Sequence, residues 1–196
     1  MIPREFKTID LGADCSVSLG KLRPEHQLRP TQFEHLWALH PATFHEVRMF
    51  GKMVSVPRWS ETYGRNYNFS GTVQLAQPIP TMLSPLLGWS RAHIDARFNG
   101  LLLNWYDGAL GHRIGPHRDD EKELVTGAPI VTISFGETRT FRLRRWKGED
   151  GSDIEVTDGS VLVIPYDTNK AYTHEVTAPK EAKGRRISVT IRAFRD

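Results

Sequence analysis

The sequence contains a single cysteine, Cys15, in 196 residues. One thiol can form neither an internal disulfide nor a thiolate zinc cluster, so CxxC redox chemistry is excluded and any metal ion must be held by histidine and carboxylate. No apolar stretch approaches the roughly 20 residues a membrane span needs. The opening segment "MIPREFKTIDLGADC" lacks the continuous apolar run of a signal peptide. These absences lead to the expectation of a soluble, intracellular protein with no membrane partner. Internal repeats and low-complexity linkers are also missing, which argues against solenoid and disordered architectures.

A strong excess of charge of one sign is missing too. The formal net charge is +3, although the pI is ≈ 9.1. Positive charge is concentrated locally at Arg142, Arg144, Arg145 and Lys147, and at Lys180, Lys183, Arg185 and Arg186. Such clusters permit a polyanionic partner without requiring one, because most are simply solvated faces.

What is present is enough apolar material, 39%, for one real core. In "RPTQFEHLWALHP", Phe33, Leu36, Trp37 and Leu39 recur at near-helical spacing before Pro41, giving a short helix packed on a sheet. A second helix is expected around "PTMLSPLLGWSRAHIDA". The remainder consists of short β-branched or aromatic runs: "FNGLLLNWY", "PIVTISFG", "TRTFRLRRW", "DIEVTDGSVLVIP", "AYTHEV" and "RRISVTIRAF". Strands at such short intervals predict a mostly β fold with N-terminal helices, a jelly-roll double sheet being the natural form. The expected division of this one structural domain is an N-terminal extension over 1–44, a lid with a supporting helix over 45–100, and the core over 101–196.

In "PHRDDE", His117 and Asp119 stand at i and i+2. On a strand both would point to one face while Arg118 faces away. An HxD pair alone is weak, since it arises often by chance. His174 in "AYTHEV" adds a second imidazole, and a two-histidine, one-carboxylate face with open positions suits non-haem Fe(II). In "RRISVTIR", Arg186, Ser188, Thr190 and Arg192 share one face, while Ile187, Val189 and Ile191 fill the other. In isolation this would be a surface strand with its arginines in water. Beside the histidine–carboxylate pattern, two arginines flanking small hydroxyl residues suit a dicarboxylate, which guanidinium pairs bidentately while keeping its charge when buried.

The ordered set "NWYDGALGHRIGPHRDDE", "PIVTISFGETRTFRLR", "GSVLVIPYDTNKAYTHEV" and "RRISVTIR" resembles the catalytic half of AlkB-type dioxygenases dependent on Fe(II) and 2-oxoglutarate. "MFGKMVSVPRWSETYG" and "YNFSG" resemble the nucleotide-recognition lid of the branch that repairs alkylated double-stranded DNA. The resemblance covers roughly residues 45 to 193 and implies a double-stranded β-helix core. It implies that His117, Asp119 and His174 hold the catalytic iron, with O2 taking an open position. Arg186 and Arg192 would pair with 2-oxoglutarate, helped by Asn104, Tyr106, Ser188 and Thr190; at Ser188 some members carry Asn.

The implied reaction oxidises an N-methyl group such as that of N1-methyladenine or N3-methylcytosine. It yields formaldehyde, succinate and CO2 and acts on a base extruded from the duplex. Tyr67, Phe69 and Ser70 match the base-pocket stretch, with His174 available to stack opposite, and Arg58 lies where the branch places a cation near the flipped base. Asp120 matches an acceptor for the exocyclic amine, with Glu121 beside it. Phe50 matches a finger that fills the gap left by the flipped base. Phosphate contacts are expected from among Lys52, Arg113, Arg118, Arg144, Arg145, Lys147, Lys180 and Lys183. The acidic residues of "RRWKGEDGSDI" weaken the expected grip on the complementary strand. The enzyme is expected to act as a monomer, in the cytoplasm if bacterial or the nucleus if eukaryotic. The alternatives are an RNA demethylase of the same family and a catalytically silent nucleic-acid-binding jelly roll.

Overall fold

The computed structural model describes all residues except 1, 50, 51, 70, 71, 120, 121, 149 and 196. Its strands, in chain order, are β1 (Lys7–Gly12), β2 (Cys15–Lys21), β3 (Glu46–Met49), β4 (Lys52–Ser55), β5 (Trp59–Tyr63), β6 (Tyr67–Phe69), β7 (Thr72–Gln74), β8 (Gly100–Asp107), β9 (Ile114–His117), β10 (Ile130–Gly136), β11 (Arg139–Arg145), β12 (Gly151–Val156), β13 (Ser160–Ile164), β14 (Tyr172–Val176) and β15 (Arg185–Arg192). The α-helices are α1 (Pro30–Trp37), α2 (Ser84–His93) and α3 (Tyr166–Ala171). None of the described helices is long and apolar enough to cross a membrane.

Two sheets form the jelly roll. The larger has seven strands in the order β1-β2-β13-β10-β15-β8-β5, and the smaller has four, β12-β11-β14-β9. Alternation along each strand divides the interior in two. From β8, Leu101, Leu103 and Trp105 join Ile187, Val189 and Ile191 of β15 in a core shared with Leu36 of α1 and Leu86, Leu87 and Trp89 of α2. The intervening residues Leu102 and Tyr106 turn the opposite way, into a second core with Phe141, Leu143 and Val176 of the smaller sheet. Helices therefore cover one face of the larger sheet while the smaller sheet covers the other. The indole N–H of Trp105 donates to the Leu36 carbonyl at 2.9 Å and ties α1 to that outer face.

Both expected helices are present. The first 44 residues hold more than a helix, however, because β1 and β2 extend the larger sheet through the pairing of β2 with β13. The sequence signal there is weak because β1 is mostly exposed and β2 mostly only partly buried. Two small hairpins, β3-β4 and β6-β7, make up much of the expected lid. Gly136, at the end of β10, adopts φ 84°, and a Cβ there would collide with the Arg185 carbonyl. Only glycine fits this close passage between β10 and β15.

Candidate active site

The site lies between the sheets. On the larger one, β15 runs antiparallel to β8 with Arg186 opposite Tyr106 and Ser188 opposite Asn104. Antiparallel pairing thus gathers onto one patch polar residues separated by about 80 positions in the chain. On the smaller sheet, His174 of β14 pairs directly with His117 of β9. Facing one another across the gap, the two patches line a cavity that includes Arg58, Tyr67, Asn104, Tyr106, His117, His174, Ser188, Thr190 and Arg192.

His117, Asp119 and His174 each offer a ligand atom, and these atoms lie within 4.8 Å of one another. The Nδ1–H of His117 donates to the Gly115 carbonyl at 2.9 Å, which leaves Nε2 as the lone-pair nitrogen on the side of Asp119, 4.0 Å from Oδ1. Burial holds both imidazoles neutral. It lowers the pKa of His117, against the pull of Asp119. It also lowers His174 to about 3, assisted by His117. Burial opposes ionisation of Asp119, but Arg192 and the two histidines outweigh it and hold the carboxyl well below the usual range. Neutral imidazoles and an ionised carboxylate are the protonation states a divalent cation needs.

The arginines are not in water. Arg186 is 0% and Arg192 3% exposed. Nη2 of Arg186 donates to Ser134 Oγ at 2.9 Å, its guanidinium lies 5.0 Å from the Tyr106 ring centroid, and Nε and Nη1 have no hydrogen-bond partner among the described residues. A buried guanidinium with two unmatched donors calls for an anion. Arg192 donates through Nε to Asp119 Oδ2 at 2.7 Å and through Nη2 to Oδ1 at 2.9 Å, leaving Nη1 unmatched. Thr190 meets Thr132 at 3.4 Å between hydroxyls.

Arg58 lines the same cavity as His117 and His174. It is 5% exposed, and its Nε donates to Asn104 Oδ1 at 2.7 Å. Tyr67 is 5% exposed. Its hydroxyl donates to Asp119 Oδ1 at 3.4 Å, and its ring lies 4.9 Å from the Arg192 guanidinium. His174 stacks on Phe141 at 5.4 Å. Phe69 belongs to β6, but its side chain lies outside the described residues, as do Phe50, Ser70, Asp120 and Glu121 entirely.

Two supporting residues escaped the sequence reading. The Asn169 side chain accepts from the Asp119 backbone N–H and donates to the Asp119 carbonyl, both at 3.1 Å, clamping the backbone of the triad's carboxylate. It stands on α3, where no local pattern marks it. Ser134 was legible in principle: Thr132 and Ser134 repeat with period 2 on β10, opposite Thr190 and Ser188.

The model of the 2OG-Fe(II) oxygenase superfamily matches residues 25–192. The chain belongs to this superfamily. Within it, the chain is similar to human "DNA oxidative demethylase ALKBH2", with 32% identity over 92% of this chain and 73% of the relative. It is likewise similar to the bovine protein of that name, with 34% identity over 93% and 68%. A solved structure, "The structure of OsALKBH1", shares the fold with a TM-score of 0.62 at 14% identity, covering 96% of this chain and 100% of that one. This 2OG-Fe(II) oxygenase is thus an AlkB-type enzyme close to the ALKBH2 branch.

Its residues fit the cofactors that the superfamily implies. The nitrogen–nitrogen–oxygen donor set of His117, Asp119 and His174 suits Fe(II). The unmatched donors of Arg186 suit a carboxylate of 2-oxoglutarate.

Proposed function

We propose that this oxygenase removes alkyl groups from the ring nitrogens of DNA bases, N1-methyladenine and N3-methylcytosine among them, with duplex DNA as the preferred substrate. The observation that carries this reading is the match over more than nine-tenths of the chain to proteins named DNA oxidative demethylase, combined with an iron-type triad and a buried, anion-seeking arginine in one cavity.

When bound, Fe(II), 2-oxoglutarate and O2 supply the oxidation, placing one oxygen atom in succinate and the other on the alkyl carbon, with loss of CO2. His117, Asp119 and His174 hold the metal. Arg186 neutralises a cosubstrate carboxylate, with Tyr106, Asn104 and Ser188 around it. Arg192, paired with Asp119, would offer its remaining Nη1 donor to the other carboxylate of the cosubstrate. Tyr67 walls the cavity on the side of the lid hairpins and orients Asp119 through its hydroxyl. The hydroxymethylated base then releases formaldehyde without further help from the protein. Phe50, Phe69, Ser70, Asp120 and Glu121 are proposed to receive the extruded base, with Phe50 filling its gap in the duplex. A DNA substrate places the enzyme inside the cell, and no second copy is needed to complete the cavity.

The test is formaldehyde release, dependent on 2-oxoglutarate, from one methylated sequence presented as duplex DNA, single-stranded DNA and RNA. Turnover of duplex DNA, with Phe50→Ala losing more activity on duplex than on single strand, supports the reading. Turnover of RNA alone would transfer the enzyme to RNA. Absence of turnover on every methylated substrate would leave a silent binding module.

A further inference from the structure

Trp146 follows β11 directly and is 50% exposed, in contrast to Trp105 at 0% and Trp89 at 9%. It is not a loosely tethered side chain. Its backbone N–H donates to the Ala171 carbonyl at 2.8 Å, and the chain then turns through Lys147 with a left-handed φ of 58°. The guanidinium of Arg118 lies 4.6 Å from the indole centroid and is itself pinned by donation from Nη1 to the Lys170 carbonyl at 2.7 Å. Arg118 stands between His117 and Asp119 in the chain; Lys147, next to Trp146, and Lys170, whose ammonium lies 5.8 Å from the Tyr166 ring centroid, are both exposed.

An indole held half in water with a fixed cation against it combines the two elements that single-stranded nucleic acid uses: a flat π-surface and positive charge for the backbone. Bases within a duplex are already stacked on both sides, so a platform of this kind takes a base that is not. We propose that Trp146, braced by Arg118, is a stacking subsite for an unpaired nucleobase of the strand entering the active site, with the adjoining phosphate against Lys147 and Lys170. The inference rests on the nucleic-acid reading above and adds to it a contact outside the catalytic cavity that favours unpaired segments next to the lesion.

The experiment titrates the full-length protein with a short single-stranded DNA oligonucleotide and with a blunt hairpin of the same sequence, following tryptophan emission and affinity. The single strand is expected to quench the wild-type emission. Trp146→Ala is expected to bind the single strand about tenfold more weakly and the hairpin with far less change, while Trp146→Phe, which keeps an aromatic face over Arg118, retains most of the affinity. Equal single-strand binding by wild type and Trp146→Ala would overturn the subsite alone. Equal loss on both DNAs would also overturn it, because a general charge or folding defect moves both. If the wild type binds neither DNA, the nucleic-acid reading falls and the subsite falls with it.

Discussion

Arg192 and Asp119, 73 residues apart, form a two-point ion pair with Nε–Oδ2 at 2.7 Å and Nη2–Oδ1 at 2.9 Å, both side chains almost wholly buried. One carboxylate therefore belongs to the candidate metal triad and is at the same time counter-ion to an arginine of the opposite sheet. Burial works against the charge on each partner. For each, the other's charge is the chief opposing influence, so Asp119 stays ionised and Arg192 stays protonated. The pair links the two sheets electrostatically at the candidate metal site.

Removing one partner should expose that dependence. Arg192→Met leaves Asp119 buried without its guanidinium, and the metal-free protein is expected to lose ~3–5 kcal/mol of stability in urea denaturation. A divalent cation such as Mn(II) replaces the missing charge, so it should stabilise Arg192→Met more than it stabilises the wild type. Equal metal stabilisation of both proteins would contradict the linkage.

Arg186 should behave in the opposite way. Its polar partners, Ser134 and Tyr106, are neutral hydroxyls, and Nε and Nη1 are unmatched among the described residues, so its charge is not compensated by an acid. Arg186→Met is expected to leave the stability of the metal-free protein unchanged or raised. It should also raise the KM for 2-oxoglutarate by about 100-fold, from the ~2–5 kcal/mol that a buried charge-assisted contact contributes. Denaturation and cosubstrate titration measured on one preparation separate the two effects.

The histidines predict acid sensitivity of the metal-free protein. His174 titrates near pH 3 in the folded state because burial penalises its cation, and His117 and His112 are lowered chiefly by the same cause. Below about pH 6.5 the unfolded chain binds protons at these sites that the folded chain does not, at His174 down to about pH 3, so stability is retained above that range and lost as pH falls into it. Each such histidine contributes up to about 1.4 kcal/mol per pH unit. Asp119, with its lowered pKa, adds a further loss below about pH 3.8 in the same direction. Urea midpoints measured from pH 7 to 5 should fall in the wild type and fall less steeply in His174→Gln.

Tyr67 makes two separable contributions. Its hydroxyl reaches Asp119 at a long 3.4 Å, while its ring lies against Arg192 and packs edge-on to Phe194, 6.0 Å between centroids. Tyr67→Phe should therefore cost less than about 1 kcal/mol. Tyr67→Ala should cost ~3 kcal/mol or more through the void it leaves and should reduce turnover at saturating cosubstrate. Thermal denaturation and kcat of the two variants test this division.

Local pattern carried much of this protein. Period-2 alternation in "RRISVTIR" placed Arg186, Ser188, Thr190 and Arg192 on one face; Ser188, Thr190 and Arg192 line the cavity while Ile187, Val189 and Ile191 enter the apolar core. The spacing of His117 and Asp119, with His174 downstream, picked out a cluster that the fold does assemble. The strand faces were legible because side-chain direction in a strand is a property of the chain itself; Asp119, by contrast, lies two residues beyond the end of β9, so its approach to His117 is not the i, i+2 strand geometry expected from the sequence. The sequence alone thus determined the chemistry on offer: which residues bear ligands, which bear charge, and which face of each strand is polar.

Only the tertiary structure decided which of these groups meet. That Arg192 pairs with Asp119, that Arg58 sinks to Asn104, that Asn169 clamps the Asp119 backbone, and that β1 and β2 extend the larger sheet all depend on how sheets stack and strands pair across long separations. The physical reason is that such partners are selected by burial. A guanidinium excluded from water takes the nearest carboxylate or amide that the opposing layer presents, and no local periodicity records which layer that will be.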